Sequence, residues 1–310
     1  MDFEASEEQQ AVLEAVSVLL DRHAGAARAI ELAKIDSYDF ELDRALKESG
    51  FVEIASSMSA LEAALVAEAV AKTGGRSAYA AAALVAANVC DEALEGPIAI
   101  AIADEDGPVR YAAHARHLLI LDGTESRILP VDEGSIEALA SNFGYPMGHV
   151  PRALRSGGRA LTGGNSDKLA DWWRVALAAE ATGTMLSALN VTVEYLKTRR
   201  QFGRHIGSFQ AVQHRLAECF VLIESSRWMT YECAAKGAPR EAAATVAAHA
   251  LAGAARVFTE MHQLSGAIGF THEHDLHVWS MRLHALRTEL GGVAGHRRAI
   301  ADTRWSAAAR

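Results

Sequence analysis

The chain has few cysteines, and they are not spaced as metal ligands or redox pairs are. Cys90, Cys219 and Cys233 lie far apart among apolar neighbours, with no CxxC pair. The pattern therefore gives no structural zinc site and no thioredoxin-type motif. We expect three buried free thiols in a reducing compartment.

The chain has fewer basic than acidic residues, and its 310 residues carry a formal net charge of −9. A protein that binds a nucleic-acid backbone is usually basic on one face, so we expect no nucleic-acid partner. The acidic start, with Asp2 and Glu4, is unlike a signal peptide. The longest apolar run, residues 78–87, is shorter than the ~20 residues of a membrane span. We expect a cytoplasmic protein with no membrane partner.

Three familiar nucleotide-binding and hydrolase motifs are missing. The sequence has no GxGxxG after a strand, no GxxxxGK[ST] and no GxSxG. Four histidines do cluster near Glu273 and Asp275, at positions His272, His274, His277 and His284. Their spacing matches neither HExxH nor the Glu-x-x-His pattern of di-iron bundles, so we expect no metal site.

The spacing of hydrophobic residues predicts the fold. Half of the residues are hydrophobic and only 6% are aromatic, which favours closely packed helices. The spacing predicts a mainly α protein: an N-terminal helical domain over 1–97, a truncated small β segment over 98–155 and a C-terminal four-helix bundle over 165–310. The Gly-rich residues 156–167 predict a flexible connection.

One stretch of the predicted bundle, residues 195–217, has the residues of a phosphate-binding corner. Arg199 and Arg200 are predicted in a last helical turn, Gly203 as the helix stop and Ser208 as the next N-cap. Guanidinium groups beside free backbone N–H groups suit a phosphate or pyrophosphate. The alternative is an ordinary basic helix end whose arginines are solvated or paired with carboxylates.

Two motifs in this half of the chain resemble the signature of the acyl-CoA dehydrogenases. The first is Arg199-Arg-Gln-Phe-Gly203, followed by Ile206, Phe209-Gln210, Gln213 and Leu216-Ala217. The second is Gln263-Leu-Ser-Gly-Ala-Ile-Gly-Phe270, followed by Glu273-His-Asp-Leu-His277 and similar to the family's QxxGGxGF segment. The resemblance covers the chain well from about residue 165 to the end.

The resemblance implies an FAD cofactor and names the residues that would contact it. In the family these two segments usually reach the FAD of a neighbouring subunit. By position, the pyrophosphate contacts would be Arg199, Gln201 and Phe202, and the contacts to the adenosine diphosphate portion would be Gln263, Gly266 and Ala267. Ala267 stands where the family prefers glycine, which implies a looser approach.

Other family features are missing from this sequence. The Thr-Glu-Pro-x-x-Gly-Ser-Asp-like stretch that holds the flavin ring is not found, and the β segment is about half the family's length. The catalytic carboxylate is missing from both of its usual places. Leu290 stands at one, beside Glu289, and Trp173 stands at the other. Because a neighbouring residue points elsewhere on a helix, we expect Glu289 not to act as the base and the chain to supply none.

Together these features resemble the short subunits of the α2β2 acyl-CoA dehydrogenases of steroid-degrading actinobacteria. The resemblance implies a more complete partner subunit that supplies the base, a bulky acyl-CoA substrate and an electron acceptor such as an electron-transfer flavoprotein. Two alternatives stay open at this point. One is a self-sufficient homo-oligomeric acyl-CoA dehydrogenase, and the other is a helical scaffold subunit that binds no flavin.

Overall fold

The structure is a computed structural model that describes residues 5–123 and 125–308. Side chains are described throughout these ranges except at 162–165 and 306–308.

The N-terminal region is helical, and polar caps set where its main helices begin. Its helices are α1 (Glu7–His23), α2 (Ala26–Lys34), α3 (Phe40–Glu48), α4 (Ile54–Ser57), α5 (Ala60–Lys72), a π-helical stretch (Ala80–Ala86) and α6 (Ala87–Val89). Ser6 and Gln9 form a capping box at the start of α1. The side chains of Asp39 and Ser59 cap α3 and α5.

Short strands follow and form two small sheets. They are β1 (Ile98–Ile102), β2 (Val109–Arg110), β3 (His117–Asp122), β4 (Glu125–Pro130), β5 (Glu137–Leu139), β6 (Met147–His149) and β7 (Arg159–Asn165), with a short helix α7 (Arg152–Arg155) before β7. One sheet has the order β1-β3-β4-β7, with β1 parallel to β3 and Ile100 opposite Leu119. The other has the order β2-β6-β5.

The flexible connection that we predicted over residues 156–167 is wrong. Residues Arg159–Asn165 form β7, which pairs antiparallel with β4, with Ala160 opposite Arg127. Hydrogen bonds from the edge of β4 thus order a segment whose glycines are typical of a loop. Strand β7 of the four-stranded sheet therefore ends directly before the first helix of the C-terminal region.

The C-terminal region is a helical bundle built around three long helices. Its elements are α8 (Ser166–Thr198), β8 (Arg200–Gln201), β9 (Arg204–His205), α9 (Gln210–Ala235), α10 (Arg240–Ser265), α11 (Leu276–Leu286) and α12 (Gly292–Ala308). Alanine along α10 lets it pack closely in the middle of the bundle. At Gly183, a Cβ atom would lie 2.2 Å from the Glu68 carbonyl oxygen, so only glycine allows α8 to approach α5 this closely.

One hydrophobic core joins these regions, since the same cluster contains Val16, Ile98 and Leu177. The mainly α fold predicted from the sequence, with its small β segment and C-terminal helical bundle, is confirmed. By length and composition alone, the stretch Arg240–Phe270 could span a membrane, and 56% of its most apolar window is buried inside the protein. That is also the composition of a central bundle helix.

The three cysteines are unpaired, as expected, although Cys90 is only half-buried. Burial raises the pKa of Cys90 and of Cys219 to about 11 and that of Cys233 to about 12. The thiols are therefore protonated at neutral pH, which makes them poor nucleophiles.

Candidate functional site

The predicted phosphate-binding corner is a tight hairpin rather than the end of a helix. Helix α8 ends at Thr198, and β8 pairs with β9 so that Gln201 lies opposite Arg204. The turn residues Phe202 and Gly203 both have positive φ, 54° and 76°. Two such residues make a two-residue turn of the kind that matches the twist of paired strands. The prediction of a last helical turn is wrong for Arg200, which lies in β8. Arg199 directly follows α8, and its backbone N–H still donates to the Tyr195 carbonyl oxygen at 2.9 Å.

Ser208 does not cap the next helix, contrary to the prediction. It ends a 3₁₀ turn, Ile206–Ser208, and its hydroxyl donates to the His205 carbonyl oxygen at 2.7 Å. Phe209 takes the N-cap position of α9 without a side-chain hydrogen bond. The short turn between hairpin and helix thus places the hairpin beside the start of α9.

The side chains of this corner point mostly to solvent. Arg199, Gln201 and Phe202 are all exposed, and Phe202 is 89% exposed. The guanidinium of Arg204 lies 3.8 Å from the centre of the Phe209 ring, and this cation–π contact joins the hairpin to the start of α9. Arg199 and Phe202 are thus exposed at a hydrogen-bonded hairpin, where both can contact a phosphate-bearing group.

The second sequence motif forms the end of α10 and the 3₁₀ turn Gly266–Phe270 that follows. Gln263, Gly266 and Ala267 are exposed. Gly266 has φ 65° and ψ −146°, a conformation that residues with a side chain rarely adopt, although a Cβ atom there would meet open space. Backbone conformation, rather than packing, therefore requires glycine at this position.

The structure brings the two motifs to the same end of the bundle. The ring of Tyr195, near the end of α8, lies 5.3 Å from the ring of His274, which follows the second motif. Arg215, near the start of α9, pairs with Glu260 near the end of α10, with 2.5 Å between Nε and Oε2. We call this end, with Arg199, Gln201, Phe202, Gln263, Gly266 and Ala267, the exposed edge.

A second charged region is buried where the small sheets meet the bundle. Arg110 of β2 donates to both oxygens of Glu180 on α8, at 3.1 and 3.0 Å. The same guanidinium pairs with Glu289, which lies in the 3₁₀ turn after α11. The indole N–H of Trp173 donates to Glu289 Oε2 at 2.6 Å. We call these four residues the buried junction.

The buried junction holds one cation and two carboxylates. Arg110 and Arg282 lie 4.8 and 4.9 Å from the centre of the Tyr145 ring, so a second arginine lies on the same tyrosine. Side chains of the three paired residues are 9–16% exposed. Burial raises the pKa of Glu289 above its ordinary value, and the charge of Arg110 opposes that shift. The carboxyl group of Glu289 thus lies against Arg110 and Trp173 and is not open to a substrate.

Little space is left around the Glu289 carboxylate. The cavity bounded by Arg110, Trp173, Glu180 and Glu289 has a volume of about 20 Å³, which holds roughly one water molecule. Leu290, where the family motif would place a carboxylate, has φ 52°. Helix α11 ends at Leu286, and the 3₁₀ turn Glu289–Gly291 follows it. That chain reversal turns Glu289 toward Arg110.

The histidine cluster is spread over loop and helix. His277 Nδ1 lies 2.9 Å from the His274 carbonyl oxygen, and its ring lies 4.7 Å from that of His272. In the part of the chain that the structure describes, no group of three or more His, Cys, Asp or Glu side chains could hold a metal ion.

Arg110 and Glu180 were not singled out from the sequence. Arg110 lies in a strand-like run and Glu180 in a long helical pattern, and neither pattern marks a charged partner. The only available signal is a lone charge among residues predicted to be buried, which usually requires an opposite charge nearby.

Comparisons with known proteins agree with this architecture. Residues 167–303 match the family model of the acyl-CoA dehydrogenase C-terminal domain. Acyl-CoA dehydrogenase IpdE2 of Mycobacterium tuberculosis is 42% identical over 118 residues, which are 37% of this chain and 36% of IpdE2. The match thus spans about a third of that relative's length.

Solved structures extend the likeness to the whole fold. A chain of the ChsE4-ChsE5 complex of Mycobacterium tuberculosis is 23% identical with a TM-score of 0.77, covering 97% of this chain and 98% of that one. A chain of a variant of the Tcur3481-Tcur3483 steroid ACAD is 24% identical with a TM-score of 0.80, covering 98% and 99%. At these identities the likeness shows the fold alone. The family-model match includes both the Arg199 and the Gln263 motifs, so the resemblance that they carry is confirmed: residues 167–303 are similar to the acyl-CoA dehydrogenase C-terminal domain.

Proposed function

We propose that this chain is a subunit of an FAD-dependent acyl-CoA dehydrogenase that introduces an α,β double bond into a bulky acyl-CoA. The chain contributes part of a shared FAD site, and a more complete partner subunit supplies the base. The buried junction carries this proposal. Its one carboxylate near the family's base position is paired with Arg110 and Trp173.

The reaction needs a base that reaches the α-proton of the thioester while a hydride leaves the β-carbon. FAD supplies the hydride acceptor when it is bound. Glu289 cannot take the proton without giving up its ion pair with Arg110, and the cavity beside it has no room for an acyl chain. Trp173, at the other usual position of the base, has no proton-accepting atom.

The exposed edge supplies this chain's share of the cofactor site. Arg199 would pair with the pyrophosphate, and Gln201 and Phe202 would contact the same end of FAD. Gln263, Gly266 and Ala267 would lie along the adenosine diphosphate portion. The exposure of these side chains supports a role toward a second subunit, because they are free to meet it.

The relatives' names support a partner and a substrate class. The ChsE4-ChsE5 structure is described as a complex, and the Tcur3481-Tcur3483 protein as a steroid ACAD. We infer a heteromeric assembly here as well, which acts on a bulky CoA thioester such as a steroid-derived one. Its electrons would pass to an acceptor such as an electron-transfer flavoprotein.

The visible absorption spectrum tests this proposal. The chain is purified alone and after co-expression with an acyl-CoA dehydrogenase encoded beside it. Flavin bands only in the co-purified complex are expected. Flavin bands in the chain alone would favour a self-sufficient homo-oligomer. A stable complex without flavin would favour the scaffold subunit.

A further inference from the structure

A separate cleft lies between α2, the end of α10 and α11. Its volume is about 650 Å³, within the range of small-molecule sites, roughly 300–1,000 Å³. Most of its wall is apolar and is formed by residues such as Ala29, Ile30, Phe258, Phe270, Val278 and Met281. We call it the α11 cleft. The cavity at the buried junction is lined by a different set of side chains.

The charged residues that line the α11 cleft are all basic. Lys34, Arg76 and Arg282 contribute to its wall, together with histidines, and no acidic residue is among the described lining residues. This is unusual in a chain with a formal net charge of −9. Lys34 pairs with Glu31 and Arg76 pairs with Asp36, whereas the guanidinium of Arg282 donates to the carbonyl oxygens of Gly74 and Gly75. Arg282 is therefore the lining cation whose positive charge is best placed to attract an anion.

Two polar side chains of the wall are buried with hydrogen-bonding capacity unused. Ser280 is 0% exposed, and its hydroxyl has no partner among the described residues. Arg282 is 2% exposed, and its Nε has no partner among the described residues. Unpaired buried polar groups are costly, and a ligand group that pairs with them recovers that cost.

We propose that the α11 cleft binds a small apolar molecule that carries one anionic head, a carboxylate or a phosphate. The apolar wall takes the body of the molecule. The head lies among Lys34, Ser280 and Arg282, after the small side-chain rotations that ligand binding commonly brings. The residues assigned to the head do not belong to the exposed edge or the buried junction. The wall does include Gly269 and Phe270 of the second sequence motif, so competition by FAD is one of the outcomes that the experiment measures.

Calorimetric titration of the full chain tests the site with three probes of equal chain length. Decanoate and decyl phosphate carry the two candidate heads, and decanol carries none; all are used below their micelle concentrations. Saturable one-to-one binding of at least one anion is expected, with decanol at least tenfold weaker because a charged hydrogen bond is lost. The stronger of the two anions identifies the head.

Variants locate the site. Ser280→Ala removes an unpartnered hydroxyl and should leave the melting temperature unchanged while weakening the anion about tenfold. Lys34→Gln should weaken it about two- to fivefold. Lys236→Gln is the matched control, since Lys236 is 61% exposed and Lys34 is 62% exposed, and each pairs with a nearby glutamate. Met281→Trp should fill the cleft and block binding.

Five results would overturn the proposal. Four are the absence of saturable binding, equal affinity for decanol, unchanged affinity in Ser280→Ala and Met281→Trp, and competition by FAD. Competition by FAD would make the cleft part of the cofactor site. The fifth is loss of binding of the stronger anion in the co-purified complex, because the partner subunit would then cover the cleft.

Discussion

The exposed edge and the buried junction each contain an arginine, yet the two arginines are in opposite environments. In the buried junction, Arg110 meets two carboxylates and Trp173 completes the set, so each charge has a partner within the chain. At the exposed edge, Arg199 and Phe202 stand on a rigid hairpin and face solvent. The charges of the buried junction are paired within the chain, whereas the side chains of the exposed edge are accessible to another molecule.

The difference matters because buried and exposed charges have very different energetics. Removing one member of a buried pair leaves an uncompensated charge, whereas exposed charges contribute little until something binds them. A chain with a closed interior and an open edge is suited to contribute to a site in another subunit. Substitutions in the two regions should therefore separate stability from cofactor binding.

The largest expected effect is on stability, from Arg110→Ala. Glu180 and Glu289 would be left close together with no cation between them, at a cost of about 3–5 kcal/mol of unfolding free energy. Urea denaturation followed by circular dichroism measures this. The matched control is Arg159→Ala, because Arg159 and its partner Glu92 are 57% and 61% exposed.

The control should lose less than about 1 kcal/mol, as exposed ion pairs do. Equal losses in the two variants would show that the buried junction is not the closed region described here.

The next effect is a loss of stability in acid, which the buried His296 on α12 should cause. The ring is 0% exposed, both nitrogens lack a partner among the described residues, and burial and the charge of Arg174 lower its pKa to about 4. In the unfolded chain the pKa is about 6.5, so below that pH the unfolded state binds a proton that the folded state does not. Stability should therefore fall between pH ~6.5 and ~4, by up to about 3 kcal/mol.

Comparing the wild type with His296→Leu at pH 7.5 and 4.5 isolates this term from other histidines. The variant should lose about 2–3 kcal/mol less than the wild type over this interval. Parallel losses would mean that His296 is protonated in the folded protein. That would place a charge inside the bundle and weaken the contrast with the exposed edge.

Arg199→Ala should have the opposite effect to Arg110→Ala, with weaker FAD binding and little change in stability. The unfolding free energy should change by no more than about 0.5 kcal/mol because the side chain is exposed. FAD binding by the assembled complex should weaken by about 1.5–3 kcal/mol, the value of a charged hydrogen bond. Fluorescence titration of the apo complex with FAD measures it, with Lys236→Ala as the control. Unaltered FAD binding would refute the role proposed for Arg199.

Much of the fold could be predicted from the sequence, because helical periodicity and the strand-like middle depend on local pattern. The corner at Arg199 could not, since its hairpin depends on positive φ at Phe202, which a residue with a side chain rarely adopts. Strand β7 was missed because pairing with β4 orders a Gly-rich segment. In each case a tertiary contact or a rare backbone conformation prevailed over a local signal.

The buried junction was the least predictable feature. Arg110 is 70 residues from Glu180 and 179 residues from Glu289 in the sequence, and no motif links them. The resemblance directed attention to Glu289 and Trp173 separately. Only the fold shows that these two residues contact each other.

The smallest expected effect is on turnover, from Glu289→Gln. Glutamine keeps an oxygen that can accept the Trp173 N–H, and Arg110 keeps Glu180 as its partner, so the variant should fold. If the partner subunit supplies the base, as proposed, acyl-CoA oxidation by the assembled complex should stay largely intact. The assay follows reduction of an artificial acceptor, with bound flavin measured in the same sample. If turnover were abolished while flavin is retained, Glu289 would be the base. The buried junction would then be an active site in which Arg110 pairs with the base, rather than a purely structural region.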